Sequence, residues 1–303
     1  DPKRSAQLVL TNEDLTDKAV DRPFMSFGDC RGSDFSGSRI DHGRYFNTKF
    51  NGATLDDADQ SYSDVRHADY SFGHMDNIDL SHSNGIGAVF HNVMANRGDF
   101  SYSDWSLVNF VGSQAVGSKF IESNVSSGKF QGINADRSNF TRSKMRLTDF
   151  SGSSARGGKF SEIIAYHAKY TESALNFASF YKANATQCNF DRASLYEADL
   201  RGTFVGSSFE GADLRNANVD DANFENANLR NANLAGLDLR NVNLAGADLT
   251  GADLSGATVN TKTLKEAASL EGTGINLDNL LDNEDIKLPD DLSQKESENM
   301  DAD

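Results

Sequence analysis

The chain has 303 residues, of which 38% are hydrophobic, with 25 Gly, 3 Pro, 2 Cys and a formal net charge of −16. That length suits one large domain or two ordinary ones and is ample for a sizeable core. No apolar run approaches the ~18 residues that a membrane-crossing helix needs. Cys30 and Cys188 are too few to staple a chain of this size, which excludes a disulfide framework. The 20 Phe are too many for a disordered acidic chain.

The charge is unevenly spread. Residues 1–110 sum to −7, residues 111–170 to +5, and residues 271–303 to −9. More than half of the net acidity therefore sits in a C-terminal tail, which reads as a solvated solubility segment or, more sharply, as a docking tail.

Taken in chain order, residues 1–27 break the pattern that follows and contain Pro23, so they are expected to form an N-terminal cap. A period of five dominates the chain. Large apolar residues recur at multiples of five, at Leu15, Val20, Met25, Cys30, Phe35, Ile40, Tyr45, Phe50 and Leu55, and a small residue stands two places before many of them, as at Ala53, Ala58, Ser63 and Ala68. The register slips by one across Arg201-Gly202-Thr203-Phe204 and then continues as Phe209, Leu214, Val219, Phe224 and onward to Leu264. The later unit reads Ala-Asp/Asn-Leu-x-Asn/Gly, as in Ala212-Asp213-Leu214-Arg215-Asn216. Period five fits neither a 3.6-residue helix nor a two-residue strand. It fits a short extended segment and a tight turn, repeated.

These units resemble the pentapeptide-repeat family over residues 28–264. The resemblance implies an all-β fold, a right-handed quadrilateral parallel β-helix of about 12 coils rising ~4.8 Å each. In it the central large residue and the small residue before it point inward.

A four-sided coil also predicts period 20. Sorting the central positions accordingly gives one column of Phe100, Phe120, Phe140, Phe160 and Phe180, and another of Phe90, Phe110, Phe130, Phe150, Tyr170 and Phe190. Between them lie Ala95, Ala115, Ala135 and Ala155 on one side, and Trp105, Val125, Met145 and Ala165 on the other. Aromatic walls should thus face each other across a narrow core. Gln60 and Gly85 interrupt the inward columns and mark a less regular stretch. Gly32, Gly52, Gly112, Gly132 and Gly152 fall where a type II turn requires positive φ. Open coil ends expose unpaired backbone. Thr261–Leu270 is accordingly expected to be a short amphipathic capping helix, and Ile275–Leu288 one more helix before the acidic tail, so that residues 265–303 form a C-terminal helix and tail.

Chemistry is sparse. The six His do not stack at 20-residue spacing, both Cys fall at inward positions, and no phosphate loop, nucleophile elbow or zinc-protease motif occurs. No enzyme and no cofactor are expected. Three outward columns do stand out. His42, Tyr62, His82 and Tyr102 form an aromatic one that continues as Glu122, Arg142, Glu162 and Lys182. Lys129, Asp149 and Lys169 form a charge ladder. Asp59, Asp79 and Asp99 stack as like charges, with Asp56, Asp57 and Asp76 around the same corner; a cation such as Ca²⁺ or a basic partner would compensate them.

The expected function is a non-catalytic protein–protein scaffold, a rigid rod docking onto other subunits of a larger complex, with a photosynthetic membrane complex as one such host. The family resemblance also brings alternatives: a DNA-mimic inhibitor of DNA gyrase or topoisomerase, and a secreted bacterial effector. Nucleic-acid binding through Lys119, Lys129, Arg142, Lys144, Arg146, Arg156 and Lys159 is opposed by neighbouring carboxylates. Such repeats are common in cyanobacteria and chloroplasts, and a start at Asp1 without Met suits a cleaved protein of the thylakoid lumen, with bacterial cytoplasm or secretion as the other placements.

Overall fold

The computed structural model describes residues 8–275 and 284–292. These fall into two compact units, one up to Ser154 and one from Ala155 onward. In each, one residue in five makes a parallel bridge to the residue about 20 positions on, as in Asp29↔Lys49, Asp34↔Thr54, Arg39↔Asp59 and Arg44↔Asp64. Four bridged segments, each followed by a tight turn, make one four-sided coil.

The turn follows from the five-residue unit. The carbonyl of the central residue accepts the N–H three residues on, as in Ala53 N to Phe50 O at 2.9 Å, and the residue between has positive φ. Glycine holds this position at Gly32 and Gly52, but His42, Tyr62, Glu122, Arg142 and many others adopt it with φ of 53–59°. Where serine fills the small slot, it adds a second tie. Ser118, Ser123 and Ser138 donate to the carbonyls of Ala95, Phe100 and Ala115 in the coil below, at 2.6, 2.8 and 2.6 Å.

The aromatic walls of the first unit stack along their columns and meet edge-to-face between them. Phe100–Phe120 and Phe90–Phe110 have ring centroids 4.9 and 4.5 Å apart and nearly parallel planes, while Phe100–Phe110 meet at 5.3 Å and 89°. Burying each such ring is worth about 1.5–3 kcal/mol. In the second unit Phe160–Phe180 and Tyr170–Phe190 repeat the arrangement.

The two interruptions are filled. Gly85 makes room for the Trp105 indole, since a Cβ there would stand 1.8 Å from its ring, and Trp105 Nε1 donates to Phe100 O at 2.8 Å. Gln60 is fully buried and its Oε1 accepts from the Tyr70 hydroxyl at 2.8 Å.

At the slip, bridging changes to Asn184↔Thr203, 19 residues apart. The missing residue is taken from the turn, where Gly202 N donates to Leu200 O at 2.8 Å. A Cβ on Gly202 would stand 2.9 Å from the Phe180 and Ala183 carbonyls, so only glycine closes this corner. One aromatic column ends here, because Leu200 follows Phe180 in it and Phe204 follows Ala185, while Phe190–Phe209 stays stacked at 4.7 Å.

Both ends differ from expectation. The bridged repeat runs back to Val9↔Asp29 instead of beginning at residue 28, because Leu10, Leu15, Val20 and Met25 already hold the five-residue spacing. This first coil covers its inward residues poorly, and Val20 is exposed. At the other end, strand β1 (Thr258–Asn260) leads into helix α1 (Thr261–Lys265), capped by Asn260 Oδ1 accepting from Lys262 N at 3.0 Å. The helix ends after five residues instead of running to Leu270. Ala268 N then donates to Ala247 O and Ser269 bridges Asp248, so the chain rejoins the coil.

The coil edge at β1 is covered by strand β2 (Asp285–Lys287), which pairs antiparallel with it. Leu288 N donates to Ala257 O and Gly256 N to Pro289 O, and Leu288 and Leu292 are buried. Asp285–Lys287 is therefore strand where helix was expected. Residues 276–283 of that expectation, and 293–303 of the acidic tail, lie outside the described residues.

Gly85→Ala should lower the thermal midpoint by the equivalent of about 1–3 kcal/mol through overpacking against Trp105. The same change should cost far less in a Trp105→Val background; equal losses in both backgrounds, read by thermal denaturation, would rule out this contact as the cause.

Candidate interaction surface

The aromatic column forms on one corner of the first unit. His42–Tyr62, Tyr62–His82 and His82–Tyr102 stack at 4.9, 4.6 and 5.0 Å with planes within 9° of parallel. Each ring occupies the left-handed turn position, which points it away from the core, and Tyr62 and Tyr102 remain 54% and 50% exposed. Because the ring faces cover each other, solvent meets their edges, with alternating phenol hydroxyls and imidazole nitrogens. His42 Nδ1 contacts Asp41 Oδ2 at 2.7 Å.

Of the charged continuation, Arg142 pairs with Glu122 at 3.0 Å. Lys182 lies over the Tyr181 ring instead, 5.1 Å from its centroid. In the second ladder, Asp149 accepts from Gln131 Nε2 and Ser151 N rather than pairing with Lys129.

The acidic column lies on the side that leads into the aromatic corner, each Asp three residues before a ring of the ladder. Asp59, Asp79 and Asp99 are successive bridge partners, and each turns Oδ1 back onto the N–H two residues on, at 3.0, 2.8 and 3.0 Å. Like charges at strand spacing repel by roughly 1 kcal/mol in water. Asp99 is relieved by Lys119, whose Nζ is 3.1 Å from its Oδ2. The cation candidate formed by these three Asp lacks a converging ligand set, since among the described residues no three His, Cys, Asp or Glu come together in a way that could hold a metal ion.

Around the next corner, Asp56 Oδ1 accepts from Asp76 N, Asp76 Oδ1 from Asn96 N, and Asn96 Oδ1 from Val116 N, at 2.7, 2.8 and 3.0 Å. Asp57 Oδ1 accepts from Asn77 Nδ2, and Asn77 Oδ1 from Arg97 Nε. Asp56, Asp57 and Asp76 thus serve side-chain ladders between coils.

Sequence reasoning passed over a recurring Asp-x-Arg clip. Asp64 with Arg66, Asp199 with Arg201, Asp213 with Arg215 and Asp238 with Arg240 each make a two-pronged pair, the closest contacts being 2.6–2.8 Å. The spacing of two across a central residue was the available signal. The arginine hydrogen bond holds the Asp64 and Asp199 carboxyls below the usual carboxylate range, more strongly than partial burial raises them. Cys30 and Cys188 are buried, and burial pushes both thiols up to about 12, so neither is a ready nucleophile.

Open clefts in the second unit include two lined by charged side chains. One, about 360 Å³, is lined by Asp220, Asp238 and Arg240 beside Asn218, and the other, about 510 Å³, flanks the slip at Arg201 and Gly202. Arg240 and Arg201 are committed to their own Asp partners.

A family model for the pentapeptide repeat region matches residues 178–254, within the same five-residue periodicity that the bridges trace. Residues 178–254 thus carry the pentapeptide repeat. Pentapeptide-repeat proteins are generally non-catalytic. Among curated proteins none matches the chain.

Among solved structures it is similar to HetL, a pentapeptide-repeat protein involved in heterocyst differentiation regulation from the cyanobacterium Nostoc. Identity is 20%, over 73% of this chain and 89% of that one, with a TM-score of 0.44. Full-length QnrB1, a plasmid-mediated fluoroquinolone resistance protein, is 17% identical over 76% and 93%, with a TM-score of 0.28. A pentapeptide-repeat protein of the Arabidopsis thaliana thylakoid lumen is 20% identical over 36% and 65%, with a TM-score of 0.19. Among the described residues no helix is long and apolar enough to cross a membrane.

Because the clipped carboxylates titrate below their ordinary value, their contribution is complete above about pH 4 and is lost as pH falls through the lowered range. The thermal midpoint should therefore be level from about pH 8 to 5 and fall below about pH 4. An Asp64→Asn/Asp199→Asn chain should show a shallower fall in that window, as followed by circular dichroism; an unchanged slope would count against the clips.

Proposed function

We propose that this pentapeptide-repeat chain is a non-catalytic docking scaffold whose partner contacts are made on the first unit, by the His42–Tyr62–His82–Tyr102 ladder and the acidic side next to it. The ladder carries the reading. Four rings stand in register on one corner, outside the core, with their polar edges to solvent. Aromatic side chains with an apolar body and a polar tip are the residues that interfaces favour. In the same reading β2 covers the coil edge at β1, and the acidic tail keeps the assembly soluble. A duplex-mimicking role is disfavoured by the +5 of residues 111–170 and by cations such as Lys119 and Arg142 seated on acidic columns.

Affinity capture from the native source, followed by mass spectrometry, tests the proposal. The wild-type chain should recover one or more stoichiometric partners, and a Tyr62→Ser/Tyr102→Ser chain should lose them while still folded by circular dichroism, its thermal midpoint falling by the loss of three stacked pairs at about 0.5–1.5 kcal/mol each. Recovery of the protein alone, or equal recovery by both chains, would sink the reading.

A further inference from the structure

We infer that the side of the first unit bounded by Tyr62, His82 and Tyr102 receives a lysine- or arginine-bearing segment of a partner protein, with the basic heads on Asp59 and Asp79. The inference rests on the docking reading above and names the chemistry of the partner.

The chain itself supplies the template. On this column Lys119 seats its ammonium on Asp99 Oδ2 at 3.1 Å, one coil up. Asp59 and Asp79 are the two rungs below, with the same turn geometry: Oδ1 is held by Ser61 N or Ser81 N, and no ion pair engages Oδ2 among the described residues. Arg39, the next rung down, leans toward Asp41 at 3.7 Å. No Lys or Arg occurs between Arg66 and Arg97, so the middle coil of this surface contains no positive charge of its own.

The neighbouring corner suits the rest of a basic side chain. Lys and Arg carry long methylene stems that lie on apolar surface while the head reaches a charge. Ring edges on the corner and carboxylates on the adjoining side provide both. The free phenol hydroxyls of Tyr62 and Tyr102 can meet backbone groups of an extended segment. A metal ion suits the column less well, because Ca²⁺ takes six to eight oxygens around one point and these carboxylates are laid out in a row, each already turned onto its own backbone.

The test uses the full chain and a fluorescein-labelled lysine–glycine decapeptide, followed by fluorescence anisotropy at low salt. The peptide should bind, a glutamate–glycine peptide should not, and added salt should weaken the complex. Asp59→Asn/Asp79→Asn should weaken binding by about fivefold or more. The fold should survive, because Asn makes the same turn bond at Asn109 and Asn124.

A chain of equal charge change in the tail, Glu296→Gln/Glu298→Gln, should bind as the wild type does. Equal weakening in the two chains, or none in the first, overturns the inference. So does displacement of the peptide by millimolar CaCl2 but not by KCl of equal ionic strength, which would assign the column to a cation. If native partners are captured through Tyr62 and Tyr102 while the Asp changes leave peptide binding intact, the basic-segment inference alone fails. If no partner is captured at all, the docking reading fails with it.

Discussion

Everything in this molecule depends on one constraint, the backbone hydrogen bonding that ties each bridged residue to its counterpart one coil away. Phe50 N donates to Asp69 O at 2.7 Å and Asp69 N to Thr48 O at 2.9 Å, and the pattern recurs at nearly every rung. The bonds leave little freedom to slide, because a shift by one residue would send the inward pair outward. A residue 20 positions away is therefore a spatial neighbour, and side chains are organised as columns. Stacked Phe, Ser-to-carbonyl ties, Asp-to-Asn ladders and the aromatic corner are all consequences of that one spacing.

The same constraint explains what the sequence made legible. A five-residue period with inward large and small positions is written into nearly every unit, so the coil, the facing Phe walls and the slip near Gly202 could all be read directly. The ends could not, because there the repeat gives way to contacts unique to one place. Helix α1 replaces a single turn and is stopped by return to the coil at Ser269, while β2 reaches its partner across residues with no periodic signal. Gly85 looked like a gap because the residue filling it, Trp105, belongs to the next coil up. Volume complementarity runs along columns, and a reading within one coil misses it.

The candidate surface was legible to a different degree. Period 20 alone brought His42, Tyr62, His82 and Tyr102 together, and Asp59, Asp79 and Asp99 beside them. It did not reveal how each carboxylate spends its oxygens. Asp56 and Asp76 turn Oδ1 onto a backbone N–H one coil away, whereas Asp59 and Asp79 turn Oδ1 onto the N–H two residues on in their own turn. The first pair ties coils together and the second shapes a turn, a difference set by which atom lies within reach.

The turn position gives this distinction energetic meaning. A residue with a Cβ in the left-handed region costs about 1–2 kcal/mol relative to glycine's free choice. Gly32, Gly52 and Gly112 show that glycine serves in equivalent turns. Ring stacking returns about 0.5–1.5 kcal/mol per pair, so the three pairs of the aromatic ladder recover only part of the cost of its four left-handed turns. Stability alone then has little reason to prefer His42, Tyr62, His82 and Tyr102 over glycine or asparagine. What those side chains add is outside the core: a flat, polar-edged strip beside two carboxylates, Asp59 and Asp79, that pair with no cation among the described residues.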